Sequence, residues 1–291
     1  MAWRPAADGR GQKRPDNDRS FVNNTDGASF SMTDATASAS ATTLLYQTDA
    51  YLRDFDATVV AVDAETGAVA LDRTAFFPSG GGQPHDTGEI TRPVDGKAWR
   101  VASVRKAGPL VLHALGAADD LPSPGDLLHG ELDWPTRYRL MRTHTALHVL
   151  CGVVFRDYGA PVTGGNMGPD KARMDFEMED FTPERVAEIE RRANEEIALG
   201  RDVRVRILPR DEAFQIPDLI RTKINLLPEG ITEIRTVEIV GLDVQADGGT
   251  HVANTREVGG LKVVGTRSKG KSNKRLEIVL IGGDGDSTLP S

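Results

Sequence analysis

Short runs of alternating apolar and polar residues dominate the first half of the chain. Residues 57–62 and 68–71 flank a turn at residues 63–67 and predict a β-hairpin. Further strand-like runs follow at residues 99–104, 109–113 and 127–132. Because no helical periodicity interrupts them, this pattern predicts a small N-terminal β-barrel over residues 43–134.

From residue 136 onwards the periodicity changes. Residues 136–157 carry an apolar stripe at helical spacing and predict a long helix. Thr182 and Pro183 mark the start of a second helix and Gly200 its end. Strands are predicted at residues 172–178, 203–208, 233–240, 261–265 and 275–281. Residues 135–282 should therefore form an α+β domain with a mixed or antiparallel sheet.

The two ends of the chain lack such periodicity. Residues 1–42 are rich in small and polar residues, so we expect a disordered N-terminal extension. Met32 would serve equally well as the start of the protein, which leaves open whether residues 1–31 belong to it. Residues 283–291 are expected to form a short tail.

The composition is that of an ordinary globular chain, with 39% hydrophobic and 27% charged residues. No segment approaches the roughly 18 apolar residues that span a membrane, and the N-terminus has no apolar export signal. The single cysteine, Cys151, excludes an intrachain disulfide and fits a reducing compartment. We therefore expect a cytoplasmic protein with no membrane contact, and no obligate protein partner is inferred.

One basic segment stands out on this acidic chain, whose net charge is -8. Residues 256–275 contain seven Lys or Arg residues and a single acid, Glu257, interrupted by glycines and serines. A local basic patch on an acidic protein indicates a phosphate contact. A solvated hairpin explains the same pattern equally well.

Two short segments carry metal-ligand spacing. His144 and His148 lie four positions apart on the predicted helix and can present both rings to one ion. In the second segment, Asp247 and His251 flank two glycines that would let the backbone turn tightly. A pair of histidines alone is often an ordinary helix feature, but the two segments together predict a metal site.

A glycine-rich loop interrupts the predicted barrel. Gly80, Gly81 and Gly82 lie between prolines and cannot form the interior of a strand. No Gly-Lys-Ser/Thr follows, so the loop is not a P-loop. We expect either a turn or a loop whose backbone closely approaches another surface.

Taken together, these motifs resemble AlaX, the family of free-standing alanyl-tRNA editing proteins, which is similar to the editing domain of alanyl-tRNA synthetase. The resemblance rests on residues 77–88, 144–148, 247–255 and 268–271, and it covers about residues 45–282. The barrel with its glycine-rich loop is typical of the medium-length type, and the chain has no room for the C-terminal extension of the long type.

The resemblance implies a function. Such proteins hydrolyse the ester of tRNA(Ala) mischarged with serine, and in some members with glycine. A synthetase pocket built for a methyl group cannot strongly reject an isostere with one added hydroxyl, so a second sieve must follow. We therefore expect a trans-editing deacylase that uses one Zn²⁺ per chain and acts on seryl-tRNA(Ala) or glycyl-tRNA(Ala).

The resemblance also implies a ligand set. The zinc ligands of the family fall on His144, His148 and His251, and Asp247 stands where the family has a cysteine. Asp247 binds the metal through oxygen, or it acts as a general base beside a three-histidine site with an open position. A third alternative is that the replacement has cost the site its metal. An oxygen ligand makes the site harder, so the metal's identity stays open.

Other residues match substrate-binding positions of the family. Thr163 is the expected partner of the seryl hydroxyl. Gln83 and Gly80 to Gly82 resemble the loop that packs near the editing pocket and influences specificity. Lys269 and Lys271 resemble residues that approach the tRNA.

Two further functions are compatible with the residues. One is an RNA-binding module with a structural metal, which would bind mischarged tRNA without hydrolysing it. The other is a metallo-hydrolase for small esters, which would act equally well without the tRNA.

Overall fold

The computed structural model describes residues 41–116, 120–179, 181–222, 227, 230–268, 270 and 272–282. Within these residues the strands pair antiparallel, except for a short parallel pair near the N-terminus, and three α-helices accompany them. The predicted α+β class with antiparallel sheets is confirmed. Most of the predicted N-terminal extension, the C-terminal tail, Lys269 and Lys271 lie outside the described residues.

The regular elements of the described first half are nearly all strands. In chain order they are β1 (Thr43–Leu44), β2 (Asp54–Asp63), β3 (Ala68–Leu71), β4 (Arg73–Thr74), β5 (Gly88–Arg92), β6 (Lys97–Val101), β7 (Ser103–Ala107), β8 (Leu110–Ala114) and β9 (Leu127–Leu132). Seven of them pair in the order β6-β5-β9-β2-β3-β8-β7. The predicted hairpin is confirmed as β2 and β3, with Val62 opposite Val69.

The predicted barrel is not confirmed. The ends of the seven-strand order, β6 and β7, follow each other in the chain with only Ala102 between them. Among the described residues no ladder joins β6 to β7, so closure of the sheet stays a prediction. The domain boundaries predicted at residues 43–134 and 135–282 stay predictions as well.

The second half mixes helices and strands. Its elements are α1 (Trp134–Tyr158), β10 (Val162–Met167), β11 (Ala172–Glu177), α2 (Pro183–Leu199), β12 (Val203–Pro209), α3 (Arg210–Ala213), β13 (Glu233–Ile239), β14 (Asp243–Ala246), β15 (Gly260–Ser268) and β16 (Asn273–Ile281). One sheet has the order β10-β11-β16-β15 and another β12-β13-β14. No helix in the described part of the chain is both long and apolar enough to cross a bilayer.

Local sequence signals explain where both long helices begin and end. Asp133 caps α1 by accepting a hydrogen bond from Thr136 N, and Gly159 ends it with φ 63°. Thr182 caps α2 through Arg185 N, and a left-handed Gly200 ends that helix. The predicted start and end of α2 are therefore confirmed, and α1 extends slightly beyond the predicted 136–157.

Helix α1 is the central element of the second half. Every residue from 140 to 154 is buried, because α1 packs against α2 and against strands of both sheets. Side chains in so dense a core have little freedom to change rotamer. Any functional side chain on this stretch of α1 is therefore held in place by packing.

A buried ion pair connects α1 to the first half of the chain. The side chains of Arg137 and Asp86 are 0% and 2% exposed, and Arg137 Nε lies 3.0 Å from both carboxylate oxygens. Phe77 N also donates to Asp86 Oδ2 at 2.6 Å. Asp86 therefore joins the segment after the glycine-rich loop both to α1 and to the strand region that precedes the loop.

Removing Asp86 should destabilise the protein strongly. Asp86→Ala leaves the Arg137 charge buried without its partner, which costs about 3–5 kcal/mol of unfolding free energy. Asp170→Ala, at the exposed pair with Arg139, should cost only about 0–1 kcal/mol. Urea unfolding of both variants measures the difference, and equal losses would contradict the role of the buried pair.

Candidate metal centre

Helix α1 carries two of the predicted ligands on its buried stretch. His144 and His148 lie one helical turn apart, and their ring centroids are 5.1 Å from each other. They are 5% and 6% exposed. The helical spacing therefore brings both imidazoles together, as the sequence predicts.

The segment after β14 brings in the other two. Asp247 directly follows the strand, and His251 comes four residues later. One ligand atom from each of His144, His148, Asp247 and His251 can be chosen so that all four lie within 4.8 Å of one another. Residues separated by about a hundred positions in sequence thus form one cluster.

Hydrogen bonds fix the orientation of the two α1 histidines. Gln83 Oε1 lies 3.1 Å from His144 Nδ1, and Asp243 Oδ2 lies 3.4 Å from His148 Nδ1. Both oxygens can only accept a hydrogen bond. Gln245 Nε2 also lies 3.4 Å from His148 Nδ1, but it donates to Asp243 Oδ2 at the shorter distance of 2.6 Å. We therefore assign the proton to the Nδ1 atom of each ring. The Nε2 atoms of these rings therefore present lone pairs.

The third histidine is oriented in the same way. His251 Nδ1 lies 3.2 Å from Thr145 Oγ1. This hydroxyl donates its only proton to Met141 O at 2.9 Å, so it accepts from His251. All three Nε2 atoms in the cluster are consequently unprotonated when the rings are neutral.

When the rings are neutral, their Nε2 atoms and the Asp247 carboxylate face one another as hydrogen-bond acceptors with no proton between them. Asp247 Oδ2 lies 2.9 Å from His251 Nε2, and its Oδ1 lies 3.7 Å from His144 Nε2. A carboxylate and imidazole lone pairs this close repel one another unless a cation lies among them. Three imidazole nitrogens and one carboxylate oxygen form a donor set that zinc accepts. The residues therefore fit a divalent metal ion.

Burial favours the neutral form of two of these rings. It lowers the pKa of His251 to about 4 and holds the pKa of His144 well below its usual range. At His148 burial acts in the same direction, but the hydrogen bond to Asp243 and the nearby carboxylate charges raise the pKa above its ordinary value. A carboxylate behind an imidazole also strengthens that ring as a metal ligand.

Asp247 is fixed by the backbone and by a buried arginine. Gly249 N donates to Asp247 Oδ2 at 2.8 Å, and Arg235 Nη1 donates to the main-chain oxygen of Asp247 at 2.9 Å. Burial would raise the pKa of this carboxyl, but a proton on His144 or His251 would hold that pKa well below its usual range. The carboxylate is therefore charged and faces the imidazoles.

Gly249 allows the loop to pass directly against His144. A Cβ atom at this position would lie 2.3 Å from His144 Cε1 and 2.7 Å from Gln83 Oε1. Neither Gly248 nor Gly249 has a positive φ, so a tight turn, expected from the sequence, is not why glycine is needed here. Close approach is the reason, because no side chain fits at residue 249.

A cavity of about 220 Å³ opens beside the cluster. His144, His148 and Asp247 line it, so the cluster reaches the cavity wall and is not enclosed in the core. Most of the remaining wall is apolar, formed by side chains that include Leu147, Val162, Met167, Met174, Leu219 and Ile220. Such a space suits a small group that must be shielded from bulk water.

The glycine-rich loop reaches this site through its last residues. Gly81 and Gly82 line the cavity and have φ 57° and 87°, which favours glycine. Gln83 is 2% exposed. Besides contacting His144, Gln83 accepts from Thr250 N at 3.0 Å and donates to Thr250 Oγ1 at 2.9 Å. Gln83 thus connects both ligand-bearing segments.

Two family models match the sequence. Residues 234–277, which include Asp247 and His251, match the family described as Threonyl and Alanyl tRNA synthetase second additional domain. Residues 8–136 match the family described as tRNA synthetases class II (A).

Relatives that match most of the chain identify its family. The chain is 40% identical over 244 residues to the alanyl-tRNA editing protein AlaX-M of Methanosarcina acetivorans, which covers 82% of this chain and 99% of the relative. The AlaX-M protein of Saccharolobus solfataricus is 37% identical over 233 residues, covering 80% of this chain and 96% of the relative. The chain belongs to the AlaX-M family of alanyl-tRNA editing proteins. It is also 40% identical over 241 residues to alanine–tRNA ligase of Ignicoccus hospitalis, but that match spans only 25% of the ligase.

Two other predictions for this AlaX-M chain concern the seryl hydroxyl and the tRNA. Thr163 Oγ1 donates to Asn273 Oδ1 at 3.2 Å, and the cavity wall beside it is formed by Val162 and Gly165. Its role as the partner of the seryl hydroxyl stays a prediction. Lys269 and Lys271 lie outside the described residues.

The sequence prediction missed the residues behind His148. Arg221 Nε donates to Asp243 Oδ1 at 3.1 Å, and Gln245 Nε2 donates to Asp243 Oδ2 at 2.6 Å. A signal was available, because Asp243, Gln245 and Asp247 alternate with the period of a strand and so share one face.

Adding a methyl group at Gly249 should weaken metal binding. Gly249→Ala displaces His144 and its partner Gln83, and loss of such an outer partner costs about 10- to 100-fold in metal affinity. Gly248→Ala is the matched control, because nothing lies within 4 Å of its added Cβ. Competition with a chromophoric chelator measures both affinities. Equal affinities would contradict the close-approach role of Gly249.

Proposed function

We propose that this AlaX-M protein is a metal-dependent deacylase that hydrolyses the ester between serine, or glycine, and tRNA(Ala). Family membership supports the substrate class. One observation carries the chemistry: three imidazoles and a carboxylate form one cluster, and two of the imidazoles and the carboxylate lie at the wall of a cavity. A hydrolytic metal site needs this access, whereas a structural site does not.

His144, His148, His251 and Asp247 would hold one zinc ion per chain. When bound, zinc would polarise the ester carbonyl and make water more acidic. Asp247 is proposed as a ligand in preference to a general base, because its two oxygens face His251 Nε2 and His144 Nε2 directly. It keeps the single negative charge of the cysteine thiolate that it replaces.

Neighbouring side chains hold the imidazoles in position. Gln83, Asp243 and Thr145 hold the three imidazoles in fixed orientations, so the ligands need no rearrangement during the reaction. The apolar cavity wall would enclose the aminoacyl group and limit its contact with bulk water. Limited solvent access strengthens electrostatic interactions at the reacting ester.

The connection between β15 and β16 is the proposed tRNA contact. Lys269 and Lys271 belong to it, and Lys274 Nζ donates to Ser268 Oγ and Gly270 O at 2.8 Å each. Lys274 thereby ties together the two ends of the connection. Two lysines on an acidic chain would add phosphate contacts without making the whole surface bind nucleic acid.

A deacylation assay with the same tRNA(Ala) carrying serine, glycine or alanine tests this function. The protein should release serine, or glycine, and spare alanine. His148→Ala should lose both metal and hydrolysis, whereas His129→Ala, at a half-buried histidine paired with Asp56, should retain both. Binding of seryl-tRNA without hydrolysis would favour the RNA-binding module. Equal hydrolysis of a small seryl ester would favour the small-ester hydrolase.

Two substitutions at Asp247 test its role as a ligand. Asp247→Cys should keep zinc and substantial activity, because a thiolate preserves charge and ligation. Asp247→Asn should lose metal, because an amide is a weak zinc ligand. Metal analysis and single-turnover deacylation measure both effects. If both variants kept full metal content but lost about 100- to 10,000-fold in rate, Asp247 would be a general base instead.

A further inference from the structure

Two residues of the segment after His251 bond to the C-terminal end of helix α2. Thr255 Oγ1 donates to Ile197 O at 3.1 Å, and Asn254 Nδ2 donates to Gly200 O at 2.9 Å. The last carbonyl groups of a helix have no partner within the helix and need donors from outside it. Thr255 and Asn254 therefore supply, from a distant part of the chain, hydrogen bonds that complete the end of α2.

The main chain of the same segment is attached to the residues that follow α2. Thr255 N donates to Arg201 O at 2.9 Å, and Val203 N donates to Ala253 O at 2.8 Å. Arg201 N in turn donates to Thr255 Oγ1 at 2.9 Å. Because Thr255 is 0% exposed, bulk water does not reach its hydroxyl to replace these bonds. Main-chain and side-chain bonds together hold the segment against the end of α2.

His251 lies close to this attachment. Three residues separate His251 from Thr255, and one of them, Val252, donates through its N–H to Thr145 Oγ1 on α1 at 3.3 Å. Residues 247–254 belong to no helix or strand and lie between β14 and a short 3-10 turn at Thr255–Val258. A regular hydrogen-bond pattern therefore does not fix the backbone of His251, and its position depends on contacts with α1 and α2.

We propose that Thr255 and Asn254 are positioning residues of the metal centre, which fix the backbone that carries His251 by bonding to α2. This inference rests on the proposed metal-dependent function and deepens it. His144 and His148 are held by the packing of α1, whereas His251 has no such support from an element of its own. A metal ligand must be held within about 0.5 Å of its bonding geometry. Attachment to the end of α2 provides that restraint.

The test removes one hydroxyl and measures zinc binding. Thr255→Val keeps the shape of the side chain, but it leaves Ile197 O without this donor and Arg201 N without this acceptor. The zinc dissociation constant, measured by competition with a chromophoric chelator, should rise about 10-fold, the lower end of the effect of losing an outer partner of a ligand. The absorption spectrum of the Co²⁺-substituted protein should change, because it depends on ligand geometry. An unchanged dissociation constant would overturn the inference.

Two control variants separate positioning from a general loss of stability. Thr182→Val removes the hydroxyl that accepts from Arg185 N and caps the other end of α2, about 25 Å away along the helix. It should lower the urea midpoint without weakening zinc binding. Thr255→Ser keeps the hydroxyl and should bind zinc as the unchanged protein does. Equal weakening of zinc binding in Thr182→Val and Thr255→Val would assign the effect to helix stability and overturn the inference.

Asn254→Asp is a second, independent variant. Its carboxylate still accepts from Arg256 N, as Asn254 Oδ1 does, but it cannot donate to Gly200 O or to Asp202. The added negative charge by itself favours a cation, so weaker zinc binding cannot come from that charge. If Thr255→Val does not fold, the zinc dissociation constant of Asn254→Asp decides: a rise supports the inference, and an unchanged value overturns it.

Failure of this inference is distinguishable from failure of the function it rests on. If the unchanged protein binds no zinc and does not hydrolyse seryl-tRNA(Ala), the proposed function itself is wrong. If it does both, and Thr255→Val binds zinc equally well, only the positioning role of Thr255 and Asn254 is wrong.

Discussion

Three hydrogen bonds on the outer side of the histidine rings determine what this site can bind. Gln83, Asp243 and Thr145 each engage an Nδ1 atom and leave Nε2 free on the inner side. Without them each ring could rotate or change tautomer, and a proton could replace a metal ion at the inner nitrogen. Because all three bonds are formed, an array of acceptors and one carboxylate converges on a single point, where a cation is the natural partner.

The partners in these bonds come from different parts of the chain. Thr145 belongs to the ligand helix and Asp243 to β14, but Gln83 comes from the glycine-rich loop in the first half. That loop is joined to α1 by the buried pair of Asp86 and Arg137. The geometry of the metal centre therefore depends on packing between the two halves, although all four candidate ligands belong to the second half.

The sequence predicted the features that depend on local periodicity. A four-residue spacing on a helix brings His144 and His148 together whatever surrounds them, and the caps at Thr182 and Gly200 act within one turn. Features that depend on tertiary contacts could not be predicted from the sequence. The close approach of Gly249 to His144, the carboxylate behind His148 and the direction of the Thr163 hydroxyl all depend on how distant segments pack. Closure of the N-terminal sheet likewise depends on pairing between its edges, which no local pattern reveals.

The bond between Gln83 and His144 has a thermodynamic consequence. A ligand that binds more tightly when two units are packed together stabilises their packing. By linkage, packing of the two units raises the affinity for the ligand by the same factor. Docking of the glycine-rich loop and occupation of the metal centre are coupled in this way, because the loop supplies the orientation of His144. A bound ion would therefore shift the equilibrium between associated and separated halves, and the N-terminal sheet would contribute to metal affinity without supplying a ligand.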